Sequence, residues 1–138
     1  MSDAEPTFFI DRCLGARFPN ALETVGIRVV LHRDHFVDTA PDEEWLAWVA
    51  EQGYVALSND RNVYRRPAQR EAVLRAQLAY FVLSANAKTD ELARAFIDSY
   101  PKVKQLLIEQ PLPFIASIQR PSAPGRSGRI SLLYPRDD

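Results

Sequence analysis

Short apolar runs of strand type alternate along this chain with segments of helical periodicity. Four such runs lie at 7–10, 27–32, 54–58 and 79–84, and helices are predicted between them over 19–26, 41–53 and 67–78. Because these runs are mostly apolar and do not alternate with polar residues, the sheet is expected to be covered on both faces. The order βαβαβαβ therefore predicts parallel crossovers and a three-layer α/β/α fold around a central, mainly parallel sheet.

The last third of the chain adds one helix and two further apolar segments. The helix is predicted from Thr89 to about residue 110, with a bend or break at Pro101, which lacks a backbone N–H. The segments "PFIASIQ" (113–119) and "RISLLYP" (129–135) flank a Pro/Gly/Ser loop and predict a further strand and a C-terminal edge strand or hairpin. We expect all 138 residues (1–138) to form one domain, as is usual at this length.

Composition restricts the compartment more than it restricts the partners. A formal net charge of -1 favours no class of partner, although local arginine clusters still permit nucleic-acid binding. The single cysteine, Cys13, excludes an intramolecular disulfide, and we expect it to be a small buried hydrophobic residue. No apolar run reaches the ~20 residues that span a bilayer, and the N-terminus has no secretory pattern, so a cytoplasmic protein without membrane contact is expected.

Three aspartates occupy the positions where open α/β sheets bind ligands. Asp11 follows the first strand, Asp60 follows the third, and Asp42 opens the helix that leads into the third. If the first and third strands are neighbours, these carboxylates share one pocket beyond the carboxyl ends of the strands. Such a cluster is unfavourable without a cation, and oxygen ligands favour Mg²⁺ or Mn²⁺. Local structure also offers an explanation for two of the aspartates, Asp42 as a helix cap and Asp60 as a turn residue.

Four arginines lie near these acids in the sequence, and Tyr64 is interleaved with them. They are Arg12, Arg61, Arg65 and Arg66. One interpretation is RNA binding, with the arginines on the phosphate backbone and Tyr64 stacked on a base. The other is a solvated basic face ahead of a helix. Both remain open from charge alone.

Two stretches carry a resemblance to a known family. In "FFIDRCLG" (8–15) an apolar strand ends in an aspartate, and in "DEEWLAWVAEQGYVALSND" (42–60) one acid opens a helix and another, 18 residues later (60 minus 42), closes the next strand. With Ser58 two positions before Asp60, this pattern resembles the PIN-domain superfamily, and within it the compact PIN-like proteins that include VapC-type toxins of bacterial toxin–antitoxin pairs. The likeness covers roughly residues 7–85.

The resemblance implies a metal-dependent endoribonuclease toxin that hydrolyses RNA phosphodiester bonds. Asp11, Asp42 and Asp60 inherit the role of Mg²⁺ or Mn²⁺ ligands and catalytic residues, and Ser58 would orient an acid or contact a phosphate. The accessory candidates for further ligands are Asn62, Glu43, Glu71 and Asp38. The family also implies a cognate antitoxin protein that blocks the site, and commonly a homodimer.

The chain departs from the family pattern at two positions. Many relatives have an additional acid where this chain has Asn62, and the fourth acid of longer PIN domains has only Asp90 or Glu91 as counterparts here. Two other interpretations therefore stay open. In the first, the substrate is DNA or a small phosphate ester. In the second, the chain is a degenerate PIN-like module that binds nucleic acid or protein without catalysis.

Overall fold

Strands and helices alternate over most of the chain. The computed structural model describes residues 5–60, 62–83, 88–119 and 129–135. The strands are β1 (Thr7–Ile10), β2 (Arg28–Leu31), β3 (Val55–Ser58), β4 (Ala79–Leu83), β5 (Phe114–Ile118) and β6 (Ile130–Tyr134). The helices are α1 (Arg17–Thr24), α2 (Asp42–Gln52), α3 (Asn62–Arg65), α4 (Pro67–Ala76) and α5 (Thr89–Glu109), and short 3-10 helices cover Arg12–Leu14 and His32–Asp34.

The strands form one sheet in the order β2-β1-β3-β4-β5-β6. The pairs from β2 to β5 are parallel, and β6 runs antiparallel to β5 at one edge. Ile10 of β1 is in register with Leu57 of β3, so the chain leaves these two strands side by side. The mainly parallel sheet and the C-terminal edge strand are confirmed.

A separate helical layer and apolar core covers each face of the sheet. Phe8 and Phe9 point to opposite faces because side chains alternate along a strand. Phe8 packs edge-on against Phe96 of α5, in the layer of α1 and α5. Phe9 stacks on Trp45 of α2, in the layer of α2 and α4. These two cores confirm the three-layer α/β/α fold.

Three local predictions need correction. α1 begins at Arg17, so Pro19 lies within its first turn, where no N–H is needed for the helix ladder. A break at Pro101 is wrong, because α5 continues through it with buried Phe96 and Val103 on either side, while Pro101 itself is exposed. The segment after β3, for which no helix was predicted, contains the short helix α3.

Packing around Phe9 generates a stability prediction. Phe9 has no exposed surface and contacts the rings of Trp45 and Trp48. We expect Phe9→Ala to lower the free energy of unfolding by about 3–5 kcal/mol, since it removes a buried ring and leaves a cavity. Urea unfolding followed by circular dichroism measures this change. Ile108→Ala, at a side chain that is 85% exposed, is the control, and a loss below about 1 kcal/mol for Phe9→Ala would contradict the packing described.

Candidate active site

The aspartates after β1 and β3 lie where the strand order of the sheet reverses. β1 has β2 on one side and β3 on the other, so a crevice is expected beyond the carboxyl ends of β1 and β3. The Asp11 N–H donates a hydrogen bond of 3.1 Å to the Leu57 carbonyl. This bond extends the β1–β3 pairing and fixes the start of the loop that carries the Asp11 carboxylate.

Asp11, Asp42 and Asp60 line one pocket in this crevice. Its narrow inner part has a volume of about 30 Å³, and an adjoining wider part has about 400 Å³; all three aspartates border both. The inner volume suits one or two water-sized groups. The inner walls are completed by Trp45, Leu46, Val63, Gln69 and Tyr80, and the outer walls by Arg12, Cys13, His32, Asp38 and Ala40.

Ser58 connects the acids that follow β1 and β3. Its hydroxyl is fully buried and donates to Asp11 Oδ2 at 3.0 Å, while it accepts the Asp60 N–H at 3.0 Å. The Cys13 sulfur lies 3.3 Å from the Ser58 hydroxyl oxygen. Because the Ser58 proton is already donated to Asp11, the Cys13 thiol is the donor in this contact. Ser58 thus holds the Asp11 carboxylate and the Asp60 backbone in one hydrogen-bonded unit.

Asp42 is held by neutral donors from two helices. Its Oδ1 accepts the indole N–H of Trp45 at 3.0 Å, and its Oδ2 accepts Nε2 of Gln69 at 3.4 Å. The Asp42 contact fixes the orientation of the Gln69 amide, because the reverse orientation would set two oxygens against each other. The buried Gln69 Oε1 has no hydrogen-bond partner among the described residues. A buried oxygen that accepts no hydrogen bond is stabilised by a ligand that offers a proton or a positive charge.

The aspartates border the pocket without forming a complete ligand set. Within the described ranges, no three His, Cys, Asp or Glu side chains come together as a group that could hold a metal ion. Both Asp42 oxygens instead accept hydrogen bonds from Trp45 and Gln69. The donor types still fit a hard divalent cation, because carboxylate and amide oxygens are the ligands it prefers. The orphaned oxygen of Gln69 adds one neutral donor to the three acids.

Arg12 lines the outer part of the pocket, and its guanidinium contacts other residues of the protein. Its Nε donates to Nδ1 of His32 at 2.9 Å, its Nη2 donates to the Phe36 carbonyl at 2.6 Å, and Asp38 lies 3.8 Å from Nε. Burial lowers the pKa of His32, which agrees with a neutral ring that accepts a hydrogen bond at Nδ1. The guanidinium of Arg12 therefore has fewer free donors for a phosphate than its position in the sequence indicated.

None of the other candidate acids reaches the inner part of the pocket. Glu43 on α2 and Glu71 on α4 are exposed, and neither lines either part of it. Asp90 is the second residue of α5, in the opposite helical layer, and its carboxylate lies 3.5 Å from the Arg17 guanidinium. Asp38 borders only the wide outer part. Asp11, Asp42 and Asp60 thus remain the acids of the inner pocket.

The basic candidates beyond Arg12 cluster around α3. Arg65 and Arg66 are exposed, and the guanidinium of Arg65 lies 5.8 Å from the centre of the Tyr64 ring. Arg61 and the side chain of Asn62 lie outside the described residues. Of the arginines in this set that the structure describes, Arg65 and Arg66 are the exposed ones.

Cys13 corrects a sequence prediction. The residue is exposed, so the expectation of a buried hydrophobic side chain is wrong, because the 3-10 helix after β1 turns Leu14 into the core in its place. Its thiol nevertheless lies against Ser58 at the rim of the pocket. Partial burial of the sulfur and, secondly, the charge of Asp11 raise the pKa of Cys13 to about 11. The thiol is therefore protonated at neutral pH.

Comparison with known proteins identifies the family of this chain. The family model described as "PIN like domain" matches residues 6–85, which include all three aspartates. This chain belongs to the PIN-like domain family. A Mycobacterium tuberculosis protein named "Putative ribonuclease VapC45" is 30% identical over 116 residues, which cover 80% of this chain and 83% of that protein. No solved structure matches the chain.

Three residues with polar groups in the inner part of this PIN-like pocket were missed as site residues by the sequence analysis. Trp45 was assigned to the core, and it both packs there and holds Asp42. Gln69 and Tyr80 reach the pocket from α4 and β4. Burial raises the pKa of Tyr80 well above its usual value, and the charge of Asp11 adds to this effect, so its hydroxyl stays protonated. No motif marks these residues; only the packing of α4 against α2 brings Gln69 to Asp42.

The raised pKa of Cys13 predicts a specific pH dependence of its reactivity. We expect alkylation by iodoacetamide to be slow at pH 7 and to rise about tenfold per pH unit to at least pH 10, because only the thiolate reacts. Asp11→Asn should shift this profile to lower pH, since it removes a negative charge that opposes thiolate formation. Mass spectrometry of the alkylated protein gives the rates. Glu51→Gln is the control, and a wild-type profile that levels off near the ordinary pKa of 9.0 would contradict the assignment.

Proposed function

We propose that this protein is a metal-dependent endoribonuclease toxin that hydrolyses RNA phosphodiester bonds. The observation that carries the proposal is the shared pocket of Asp11, Asp42 and Asp60 beyond β1 and β3. Membership of the PIN-like family and the similarity to a protein named as a ribonuclease support it. The proposed cofactor is Mg²⁺ or Mn²⁺, with the three aspartates as protein ligands and Gln69 Oε1 as a neutral oxygen.

The residues of the chain have distinct roles in this proposal. When Mg²⁺ or Mn²⁺ is bound, the chemistry it supplies is activation of a water and neutralisation of charge on the phosphoryl oxygens. Ser58 fixes the Asp11 carboxylate through its hydrogen bond, and Trp45 and Gln69 fix Asp42. In this proposal Arg65 and Arg66 bind the phosphate backbone of the RNA, because both are exposed cations close in sequence to Asp60.

The partners follow from the resemblance to VapC-type toxins. We propose that a cognate antitoxin protein neutralises the enzyme in the cytoplasm and that the toxin works as a homodimer. Among the described residues, no helix combines the length and apolar character that a bilayer crossing requires. Co-expression of this chain with the products of its neighbouring genes, followed by copurification, tests the antitoxin assignment.

Asp60→Asn is the most direct test of the proposal. We expect it to lower RNA cleavage by more than about 100-fold, because it removes a proposed metal ligand, whereas loss of a residue that only supports a ligand typically costs about 10- to 100-fold. Growth inhibition on expression should disappear as well, while the circular dichroism spectrum stays unchanged. Glu51→Gln, an acid-to-amide change at an exposed position outside the pocket, is the matched control. Full cleavage by Asp60→Asn would reject the assigned site.

Metal removal separates catalysis from a binding function. We expect chelation to abolish cleavage and Mg²⁺ or Mn²⁺ to restore it, and we expect calorimetry to detect Mn²⁺ binding to the wild type that is weakened in Asp11→Asn and Asp60→Asn. Matched RNA and DNA oligonucleotides identify the substrate class. RNA binding without cleavage, together with no metal binding at millimolar concentration, would favour the degenerate binding module instead.

A further inference from the structure

A second cavity lies beside the acid pocket and has no role in the proposed catalysis. Its volume is about 430 Å³, and among the described residues its walls are Tyr64 of α3, Arg70 of α4, and Leu133 and Tyr134 of β6. Pockets of about 300–1,000 Å³ are the usual size for small-ligand sites. We call it the tyrosine–arginine cavity.

Consecutive residues separate this cavity from the acid pocket. Val63 lines the acid pocket and Tyr64 lines the tyrosine–arginine cavity. The same division recurs one helix later, where Gln69 lines the first and Arg70 the second. The short helix α3 and the first turn of α4 therefore contribute neighbouring residues to both the acid pocket and the tyrosine–arginine cavity.

The cavity combines the groups that recognise unpaired bases. Tyrosine rings and arginine planes stack on splayed nucleobases, and they do so with little sequence preference. Arg70 is fixed in place because its Nη1 donates to the Tyr64 carbonyl at 3.0 Å, and its guanidinium has further N–H donors. Leu133 adds an aliphatic wall, and Tyr134 at the sheet edge is 37% exposed, so its ring is accessible.

We propose that the tyrosine–arginine cavity binds one unpaired nucleobase of single-stranded RNA whose backbone crosses the acid pocket. The inference rests on the proposed function and adds to it a base-binding subsite. RNA is favoured over a peptide because two aromatic rings and a fixed guanidinium converge there, with exposed cations at Arg65 and Arg66 next to Tyr64. The same RNA strand would place a phosphate at the acid pocket and a base in the tyrosine–arginine cavity.

Binding measurements in an uncleaving background test this subsite. The Asp60→Asn protein is titrated against a fluorescent single-stranded RNA, with binding followed by anisotropy. Adding Tyr134→Ala should weaken binding by about 5- to 100-fold, the range for loss of one stacked base. Tyr64→Leu should act in the same direction, whereas Tyr134→Phe should retain binding because the ring is kept. The salt dependence should be unchanged in the tyrosine variants, because no phosphate contact is lost.

Two controls make the result specific. Tyr54→Leu is the matched change at a half-buried tyrosine that precedes β3, at the opposite end of that strand from Asp60, and it should leave RNA affinity unchanged. In a series of RNAs that each carry one abasic nucleotide at a different position, one RNA should bind the Asp60→Asn protein more weakly than the intact RNA does. The same base removal should not weaken RNA binding further when Tyr134→Ala is also present. That coupling identifies the base in the cavity. If Tyr64→Leu fails to fold, Tyr134→Ala at the exposed edge carries the test.

The outcomes distinguish this inference from the proposed function. If wild-type protein cleaves RNA and folded Tyr134→Ala and Tyr64→Leu bind RNA as tightly as their parent, the subsite is wrong and the nuclease stands. If base-dependent binding is seen but the wild type does not cleave, the subsite stands and the nuclease is wrong. Unchanged RNA binding together with loss of antitoxin binding would assign the cavity to a protein partner and overturn the RNA proposal.

Discussion

The arrangement of the site depends on one buried hydroxyl group between two parallel strands. Ser58 ends β3, and its oxygen joins the Asp11 carboxylate, the Asp60 backbone and the Cys13 thiol. Without this group, the Asp60 N–H would lack its hydrogen-bond acceptor and the Asp11 side chain would lose the contact that orients it. Hydrogen bonds to a carboxylate are also stronger than neutral ones. The reversal of strand order brings the loops after β1 and β3 together, and the hydrogen bonds of Ser58 fix their relative positions.

Much of the fold could be predicted from the sequence because the relevant forces are local or periodic. Continuous apolar runs identify buried parallel strands, and Gly53 in a left-handed conformation ends α2 as expected. The continuity of α5 through Pro101 could not be predicted, since packing of buried residues on both sides of the proline outweighs its local effect. The inward turn of Leu14 in place of Cys13 likewise depends on how the 3-10 helix packs.

The site was predictable in outline but not in detail. The three aspartates could be found because topology assigns the ends of neighbouring strands to one edge. Gln69 and Tyr80 could not, because each arrives from an element distant in sequence and carries no motif. The internal contacts of Arg12 depend on the position of His32 and Phe36 after β2, which no pattern in the sequence specifies. Side-chain partners that come from different elements are thus the part of a site that a single sequence leaves open.

The hydrogen bond between Trp45 and Asp42 also gives the pocket an intrinsic spectroscopic probe. The chain has two tryptophans. Among the described contacts, Trp45 donates to an acid of the pocket, whereas Trp48 packs among His35, Phe36 and Tyr54. A ligand that competes for the Asp42 oxygen changes the environment of one indole N–H and leaves the other as an internal reference. Two indole resonances in one spectrum therefore separate events at the acids from changes in the surrounding core.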